Sequence, residues 1–253
     1  MKTCISNESA IAPESRSATA RPLAAATLAC VALATAACAS VEVASAPTPA
    51  AAGMVDIRSL VPDIALEMRY AGTENFVGRR VDGYDAPKCY LHKSVAEALR
   101  QVEQDLRGEG LRLKLFDCYR PRRAVLDFMR WAEDETDQRT KPQYYPEMEK
   151  SQLVGEYISP TSGHSRGATL DLTLMRCEAD GRCEPLPMGT GFDYFGPVAN
   201  TESPRITEAQ RANRERLRQA MEKHGFENYP KEWWHYTFKP EPTPDTAFDF
   251  PVR

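Results

Sequence analysis

The chain has 253 residues, of which 42% are hydrophobic and 27% charged, and its formal net charge is −4. These proportions are those of soluble globular proteins and exclude a disordered or membrane-embedded chain, while the length favours one folded domain behind a short leader. The largest basic block covers residues 120–123, so the sequence predicts no nucleic-acid partner.

Residues 1–38 are predicted to be an export signal. Lys2, Arg16 and Arg21 give a positively charged start, and residues 23–37 form an apolar stretch that ends in small side chains. This stretch is shorter than the roughly 20 apolar residues that a membrane-spanning helix needs. The pattern therefore predicts secretion rather than a membrane span.

Cys38 and the residues after it bear on how the chain is anchored. Residues 35–38 (Thr-Ala-Ala-Cys) resemble the lipobox of bacterial lipoproteins, which makes Cys38 a candidate for lipidation and a membrane tether. Ordinary cleavage near Ala39 or Ala46 is the alternative. Either route predicts a location in the periplasm or cell envelope. Residues 39–53 are rich in Ala, Pro and Ser without apolar periodicity, which predicts a flexible tether.

The domain is predicted to cover residues 54–253, and its first half contains strands and helices at irregular intervals. Apolar spacing, alternation and turn residues predict a strand near Ile64–Tyr70, a helix over Ser94–Arg107, a strand over Leu111–Leu115 and a helix from Pro121. Ser94 and Glu97 are predicted to form a capping box at the start of the first helix. Glu133–Lys150 is polar and is predicted to be a long surface excursion.

The second half continues the same irregular mixture. The predicted elements are a strand over Ala168–Leu174, a hairpin over Cys177–Cys183, a helix over Thr207–His224 and a strand over Trp233–Phe238. Regular β-α-β alternation is missing. The fold class is therefore predicted to be α+β, a single domain with a small antiparallel or mixed sheet flanked by helices.

Four cysteines lie in the predicted domain, and an even number in an exported chain favours disulfides. The Asp180-Gly181 turn is expected to bring Cys177 and Cys183 together, and we also expect Cys89 to pair with Cys118. Four buried free thiols are the alternative. None of the four cysteines shows the C-x2-C spacing of a structural zinc site.

The sequence contains only four histidines, so a site built on histidine has few candidates. His224 falls in the last turn of a predicted helix, where a cation is favourable, and His92 precedes a helix without polar neighbours. His164 and His235 remain. His164 stands in a Gly/Ser loop that leads into the strand of Asp171, so the two side chains can converge.

Asp171 lies between leucines in an apolar strand, where an unpaired carboxylate would be costly to bury and a cation would offset the cost. His235 offers a third ligand, and Glu232 precedes it by three residues. Three protein ligands and a nearby carboxylate are what hydrolytic zinc requires. The pattern predicts zinc held by His164, Asp171 and His235, with Glu232 as general base.

These motifs resemble those of the D-alanyl-D-alanine dipeptidases, the VanX-like branch of the zinc D-Ala-D-Ala metallopeptidases. The matching segments are Ser162-x-His164-x-x-Gly167-x-x-x-Asp171, Glu232-Trp233-Trp234-His235, residues 116–121 around Arg120, residues 188–193, residues 75–84 and residues 248–252. The resemblance covers about Ile64 to Arg253, which is essentially the whole predicted domain.

The resemblance implies one Zn²⁺ per chain and hydrolysis of D-Ala-D-Ala or a similar small dipeptide. This reaction would be part of peptidoglycan metabolism. It also implies that Arg120 polarises the scissile carbonyl. Asp193 and Tyr70 are implied to receive the ammonium group of the substrate, and Ser162 to line the dipeptide pocket.

Three other interpretations stay open at this point. The same zinc chemistry would serve a murein D,D- or L,D-carboxypeptidase acting on stem peptides. A non-catalytic peptidoglycan-binding module would need the pocket but neither Glu232 nor Arg120. A structural zinc site is usually closed by four protein ligands and has no use for Glu232.

Overall fold

A six-stranded mixed sheet forms the centre of the structure, a computed structural model that describes residues 42–253. Its strands are β3 (Ala65–Leu66), β5 (Leu111–Asp117), β6 (Thr169–Cys177), β7 (Cys183–Pro185), β8 (Phe226–Asn228) and β9 (His235–Phe238). They run in the order β3-β5-β6-β9-β8, and β7 pairs with the other end of β6. Only the β3–β5 pair is parallel; the other pairs are antiparallel.

Two further strand pairs lie outside this sheet. β1 (Glu42–Ala44) pairs in parallel with β10 (Thr246–Phe248), and β2 (Met54–Asp56) pairs antiparallel with β4 (Tyr90–His92). β1 lies inside the predicted tether of residues 39–53, so the part of that segment from residue 42 onward differs from the prediction. Its Ala and Pro composition gave no sign of a backbone partner about 200 residues away. The predicted export signal lies outside the described residues.

Within residues 42–253, five helices pack around the sheet. They are α1 (Lys93–Arg107), α2 (Arg122–Glu133), α3 (Lys141–Tyr144), α4 (Lys150–Leu153) and α5 (Glu208–Glu222). α1 packs on β5 and α5, and α5 also packs on β8. No helix in the described part of the chain is long and apolar enough to cross a membrane. The α+β class, the mixed sheet and the single domain are thus confirmed.

Helix boundaries show where local sequence signals succeed and fail. Thr207 and Gln210 form a capping box at the start of α5, where the predicted helix begins. Ser94, in contrast, lies inside α1, because the helix already begins at Lys93 and His92 occupies the N-cap position without a side-chain cap. The predicted Ser94–Glu97 capping box is therefore wrong.

The predicted surface excursion over Glu133–Lys150 is more ordered than its polar composition indicated. It includes α3 and the first residue of α4, and it buries Tyr144, Tyr145 and Lys150. The Lys150 Nζ donates hydrogen bonds to two backbone carbonyls at the end of α2, at 2.7 and 2.8 Å. The buried ammonium group of Lys150 thus holds this segment against α2. The sequence does not predict this contact, because a lysine is usually expected at the surface.

Both predicted disulfides are present. Cys177 and Cys183 join β6 to β7 across the hairpin, and Cys89 is bonded to Cys118. The second bridge lies where β5 ends, next to the residues of the candidate site. The alternative of four free thiols is wrong for this structure.

Candidate metal centre and substrate pocket

The three predicted metal ligands converge where β6 pairs with β9. Asp171 in β6 lies directly opposite His235 in β9. His164 reaches the same point from a short 3-10 turn, Gly163–Arg166, that precedes β6. One ligand-capable atom from each residue lies within 4.8 Å of the others. The fold thus builds one compact group of two imidazoles and a carboxylate.

The spacing of these atoms fits a tetrahedral metal ion. His164 Nε2 is 3.4 Å from both His235 Nδ1 and Asp171 Oδ2, and His235 Nδ1 is 3.1 Å from Asp171 Oδ1. Ligands at about 2.0–2.2 Å from a tetrahedral zinc ion are roughly 3.3–3.5 Å apart. The buried Oδ1 of Asp171 has no aligned hydrogen-bond donor among the described residues. The geometry and the donor set therefore suit zinc.

The protonation of the ligands is set by their neighbours. His164 is fully buried, and its Nδ1 donates to the Cys118 carbonyl at 2.7 Å, which leaves the Nε2 lone pair facing the other ligands. Burial alone lowers the pKa of His235, but the carboxylates of Asp171 and Glu232, at 3.1 and 3.3 Å from its Nδ1, raise it to about 9. These carboxylates attract a cation to this point.

Glu232 and Arg120 border the same centre. Glu232 lies in the turn before β9, largely buried, with Oε2 at 3.3 Å from His235 Nδ1. The guanidinium of Arg120 lies over the Tyr70 ring and donates to Asp117 at 2.9 Å and to Asp171 at 3.4 Å. The Glu232 carboxylate and the Arg120 guanidinium thus both lie next to the candidate metal ligands.

A cavity of about 310 Å³ opens onto this centre. It is lined by the predicted residues Tyr70, Arg120, Ser162, Asp171, Asp193, Glu232 and His235, together with Glu156, Tyr157, Tyr229 and several apolar side chains. All the predicted site residues except His164 therefore border one space, and His164 lies directly behind it. The volume suits a small ligand rather than a polymer.

Asp193 and Tyr70 form a buried pair in this cavity. The Tyr70 hydroxyl donates to both carboxylate oxygens of Asp193, at 3.0 and 3.1 Å. Burial and the nearby Asp171 raise the pKa of Asp193 well above its usual range, and burial likewise raises that of Tyr70. Asp193 also has a left-handed backbone, with φ of 60°. A cationic ligand in this cavity could form an ion pair with the buried carboxyl of Asp193.

Ser162 has a second role that its position in the motif did not indicate. Its side chain lines the cavity, and its Oγ accepts a hydrogen bond from the His164 backbone N–H at 3.3 Å. Ser162 thereby caps the 3-10 turn that carries His164. The residue shapes the metal centre as well as the pocket.

Sequence reasoning missed the role of Asp117. Asp117 is fully buried, accepts hydrogen bonds from Arg120 and from the Tyr84 hydroxyl at 2.6 Å, and lies 3.4 Å from His164 Nδ1. Its place at the end of a strand, three residues before Arg120, was a usable signal. The partner Tyr84 comes from a distant loop and could not have been inferred.

The sequence matches the family described as "D-ala-D-ala dipeptidase" over residues 50–253. A D-alanyl-D-alanine dipeptidase of Streptomyces coelicolor is 41% identical over 197 residues, which are 78% of this chain and 96% of that protein. One from Enterococcus faecium is 37% identical over 202 residues, or 79% and 98%. The solved vancomycin-resistance D,D-dipeptidase VanXYg is 13% identical with a TM-score of 0.32, covering 75% of this chain and 67% of that one, which is too weak to carry an argument.

Proposed function

We propose that this chain, which belongs to the D-Ala-D-Ala dipeptidase family, hydrolyses free D-Ala-D-Ala with one zinc ion held by His164, Asp171 and His235. One observation carries the proposal. The three candidate ligands lie within 4.8 Å of one another beside a 310 Å³ cavity, and the same cavity is lined by the buried carboxyl of Asp193. A small molecule with a carbonyl near the metal and an ammonium group near Asp193 satisfies both.

Zinc at this position supplies Lewis-acid chemistry: it polarises a carbonyl and lowers the pKa of water from 15.7 to roughly 7. Glu232 is the general base, because it is the largely buried carboxylate beside His235 that is not needed as a ligand. It accepts a proton from the attacking water and returns it to the leaving amine. The presence of Glu232 favours catalysis over a structural zinc site.

Arg120 stabilises the negative charge that develops on the carbonyl oxygen. Its guanidinium is held by Asp117, so it does not reorganise during the reaction. A fixed cation in a water-poor cavity contributes more than one in solvent. This role requires no contact with the rest of the substrate, so it affects turnover more than binding.

Asp193 and Tyr70 receive the substrate's ammonium group. Among residues 42–253, the Tyr70 hydroxyl is the side-chain donor to the buried Asp193, and an ammonium group would add a cation. An N-acylated peptide lacks that cation and adds bulk beside Asp193. The arrangement favours a dipeptidase over a carboxypeptidase that acts on stem peptides.

The export pattern of residues 1–38 supports a location in the periplasm or cell envelope, with Cys38 as the lipidated tether. D-Ala-D-Ala released during peptidoglycan turnover would then be the substrate. Fractionation of cells that express the full chain tests this part, and labelling with a palmitate analogue distinguishes the tethered form from the soluble form. A Cys38→Ala variant is the control and should lose the label.

The activity is tested with purified domain and four compounds: D-Ala-D-Ala, L-Ala-L-Ala, D-Ala-D-lactate and a muropeptide. Each is incubated with and without a chelator, followed by addition of zinc. We expect D-Ala-D-Ala to be cleaved, a chelator to abolish cleavage, and zinc to restore it. Cleavage of the muropeptide but not of the dipeptide would establish the carboxypeptidase alternative.

A further inference from the structure

The metal ligand His164 is oriented by the backbone of a disulfide-bonded cysteine. The carbonyl of Cys118 accepts the hydrogen bond from His164 Nδ1 at 2.7 Å, and both residues are fully buried. A shift of this carbonyl would release the imidazole ring from its orientation and its tautomer. The position of one carbonyl thus controls where His164 Nε2 points.

Backbone hydrogen bonds and one covalent bond restrain the segment that carries this carbonyl. The sheet pairing of β5 ends at Asp117, opposite Asp171, after a register shift between Leu115 and Asp117. Beyond it, the backbone hydrogen bonds of the segment are Tyr119 N–H to the Tyr90 carbonyl at 3.0 Å and Arg120 N–H to the His164 carbonyl at 3.3 Å. The first restrains the Cys118 carbonyl directly, because this carbonyl and the Tyr119 N–H share one planar peptide unit, and it joins the segment to β4. The second joins the segment to the metal centre itself and gives no independent anchor.

The bridge to Cys89 adds a covalent anchor beside this hydrogen bond, one residue before Tyr90. Cys89 precedes β4, and its carbonyl accepts a hydrogen bond from the Ile57 backbone at 3.0 Å. The disulfide therefore ties the end of β5 to a second, independent strand pair, β2–β4. Arg120 lies two residues after Cys118, so the same bond also restrains the guanidinium.

We propose that the Cys89–Cys118 disulfide is a positioning element for the metal centre, which holds the Cys118 carbonyl against His164 and thereby raises the affinity for zinc. This inference rests on the proposed zinc site. The disulfide contacts neither substrate nor metal, and it acts through His164 and Arg120.

The chain supplies its own matched control in the Cys177–Cys183 bridge, which joins β6 and β7 at the far end of β6 from Asp171. The test compares three double variants: Cys89→Ala/Cys118→Ala, Cys89→Val/Cys118→Ala, which refills part of the space of the bridge, and Cys177→Ala/Cys183→Ala. Circular dichroism selects folded protein, and competition with a chromophoric chelator measures the zinc dissociation constant.

We expect the zinc dissociation constant to rise about 10-fold in both Cys89/Cys118 variants, the lower end of the range for a disturbed group that orients a metal ligand, because the carbonyl remains and loses only its covalent restraint. It should stay within about twofold of wild type in the control, and kcat should fall in the Cys89/Cys118 variants more than KM rises. Unchanged zinc affinity in a folded Cys89/Cys118 variant overturns the inference, as does an equal loss in the control. Absence of zinc binding in the oxidised wild type would instead refute the proposed function.

Discussion

At the residue scale, the proposed metal ligands and the proposed general base are separate groups. His235 lies within the ligand cluster, whereas Glu232 lies beside it, at 3.3 Å from His235 Nδ1. We expect Glu232→Gln to retain stoichiometric zinc and to lose roughly 10²- to 10⁴-fold in kcat. His235→Ala should lose the metal itself. Elemental analysis and steady-state kinetics on the two variants check this, and near-native turnover in Glu232→Gln would refute the assignment.

The raised pKa of Asp193 makes the free energy of unfolding depend on pH. Burial and Asp171 raise its pKa, so the folded protein retains a proton that the unfolded chain releases near pH 4. Wild type therefore loses free energy of unfolding as the pH rises above about 4, until the raised pKa is passed. Asn cannot ionise and tolerates the left-handed backbone at φ 60°.

We therefore expect Asp193→Asn to gain stability relative to wild type as the pH rises. Urea denaturation of the metal-free proteins at pH 4 and pH 8 measures the difference. A gap that is larger at pH 4 than at pH 8 would show that the carboxyl is ionised in the folded state at low pH.

The sequence was sufficient to predict residues that the structure brings together around one cavity, because zinc ligands and a base form a recognisable pattern. It was not sufficient to find the residues that orient them. Asp117 and Tyr84 interact across 33 positions, and Ser162 caps the turn of His164 through a hydroxyl. Such contacts depend on the path of loops, which local periodicity does not encode.

At the scale of elements, a buried arginine of α5 holds the segment that contains Asp193. Arg214 is 1% exposed and donates hydrogen bonds to the carbonyls of Met188, Val198 and Asn200, at 2.6, 3.0 and 2.6 Å. These residues flank Asp193 on both sides. Burial lowers the pKa of Arg214 to about 10, and the side chain stays charged at neutral pH.

We expect Arg214→Met to destabilise the domain by about 2–4 kcal/mol, because three buried carbonyls lose a charged donor. KM for D-Ala-D-Ala should rise more than kcat falls, since Asp193 moves and Glu232 does not. Arg211→Met is the control: Arg211 is exposed on the same helix and donates only to the Ser203 carbonyl, at 3.2 Å. Equal effects of the two substitutions would contradict this role of Arg214.

The elements that the sequence predicted well are those with strong periodicity. α1, β5, β6 and α5 lie close to their expected ranges, because their apolar residues repeat at helical or strand spacing. The short β1 was missed, since its three residues are defined by a partner strand rather than by their own pattern. A residue pattern can predict a helix or strand, but it does not predict which other strand a short strand pairs with.

At the scale of the whole molecule, the two disulfides differ in the length of chain that they close. Cys89 and Cys118 are 29 residues apart, and Cys177 and Cys183 are 6 apart. Loop-closure entropy gives about 3.6 kcal/mol for the first and about 2.2 kcal/mol for the second. We expect the alanine double variants to lose stability in that order in urea denaturation. A greater loss from the Cys177–Cys183 pair would show that native-state packing outweighs chain entropy.

The central claim is that the cavity binds a dipeptide by its free ammonium group next to a zinc centre. The most direct test is kcat/KM of the zinc-loaded wild type for D-Ala-D-Ala and for N-acetyl-D-Ala-D-Ala. The acetylated compound brings no cation to Asp193 and adds bulk beside it, so we expect it to be poorer by at least about 10²-fold. Equal or better cleavage of the acetylated compound would contradict the account.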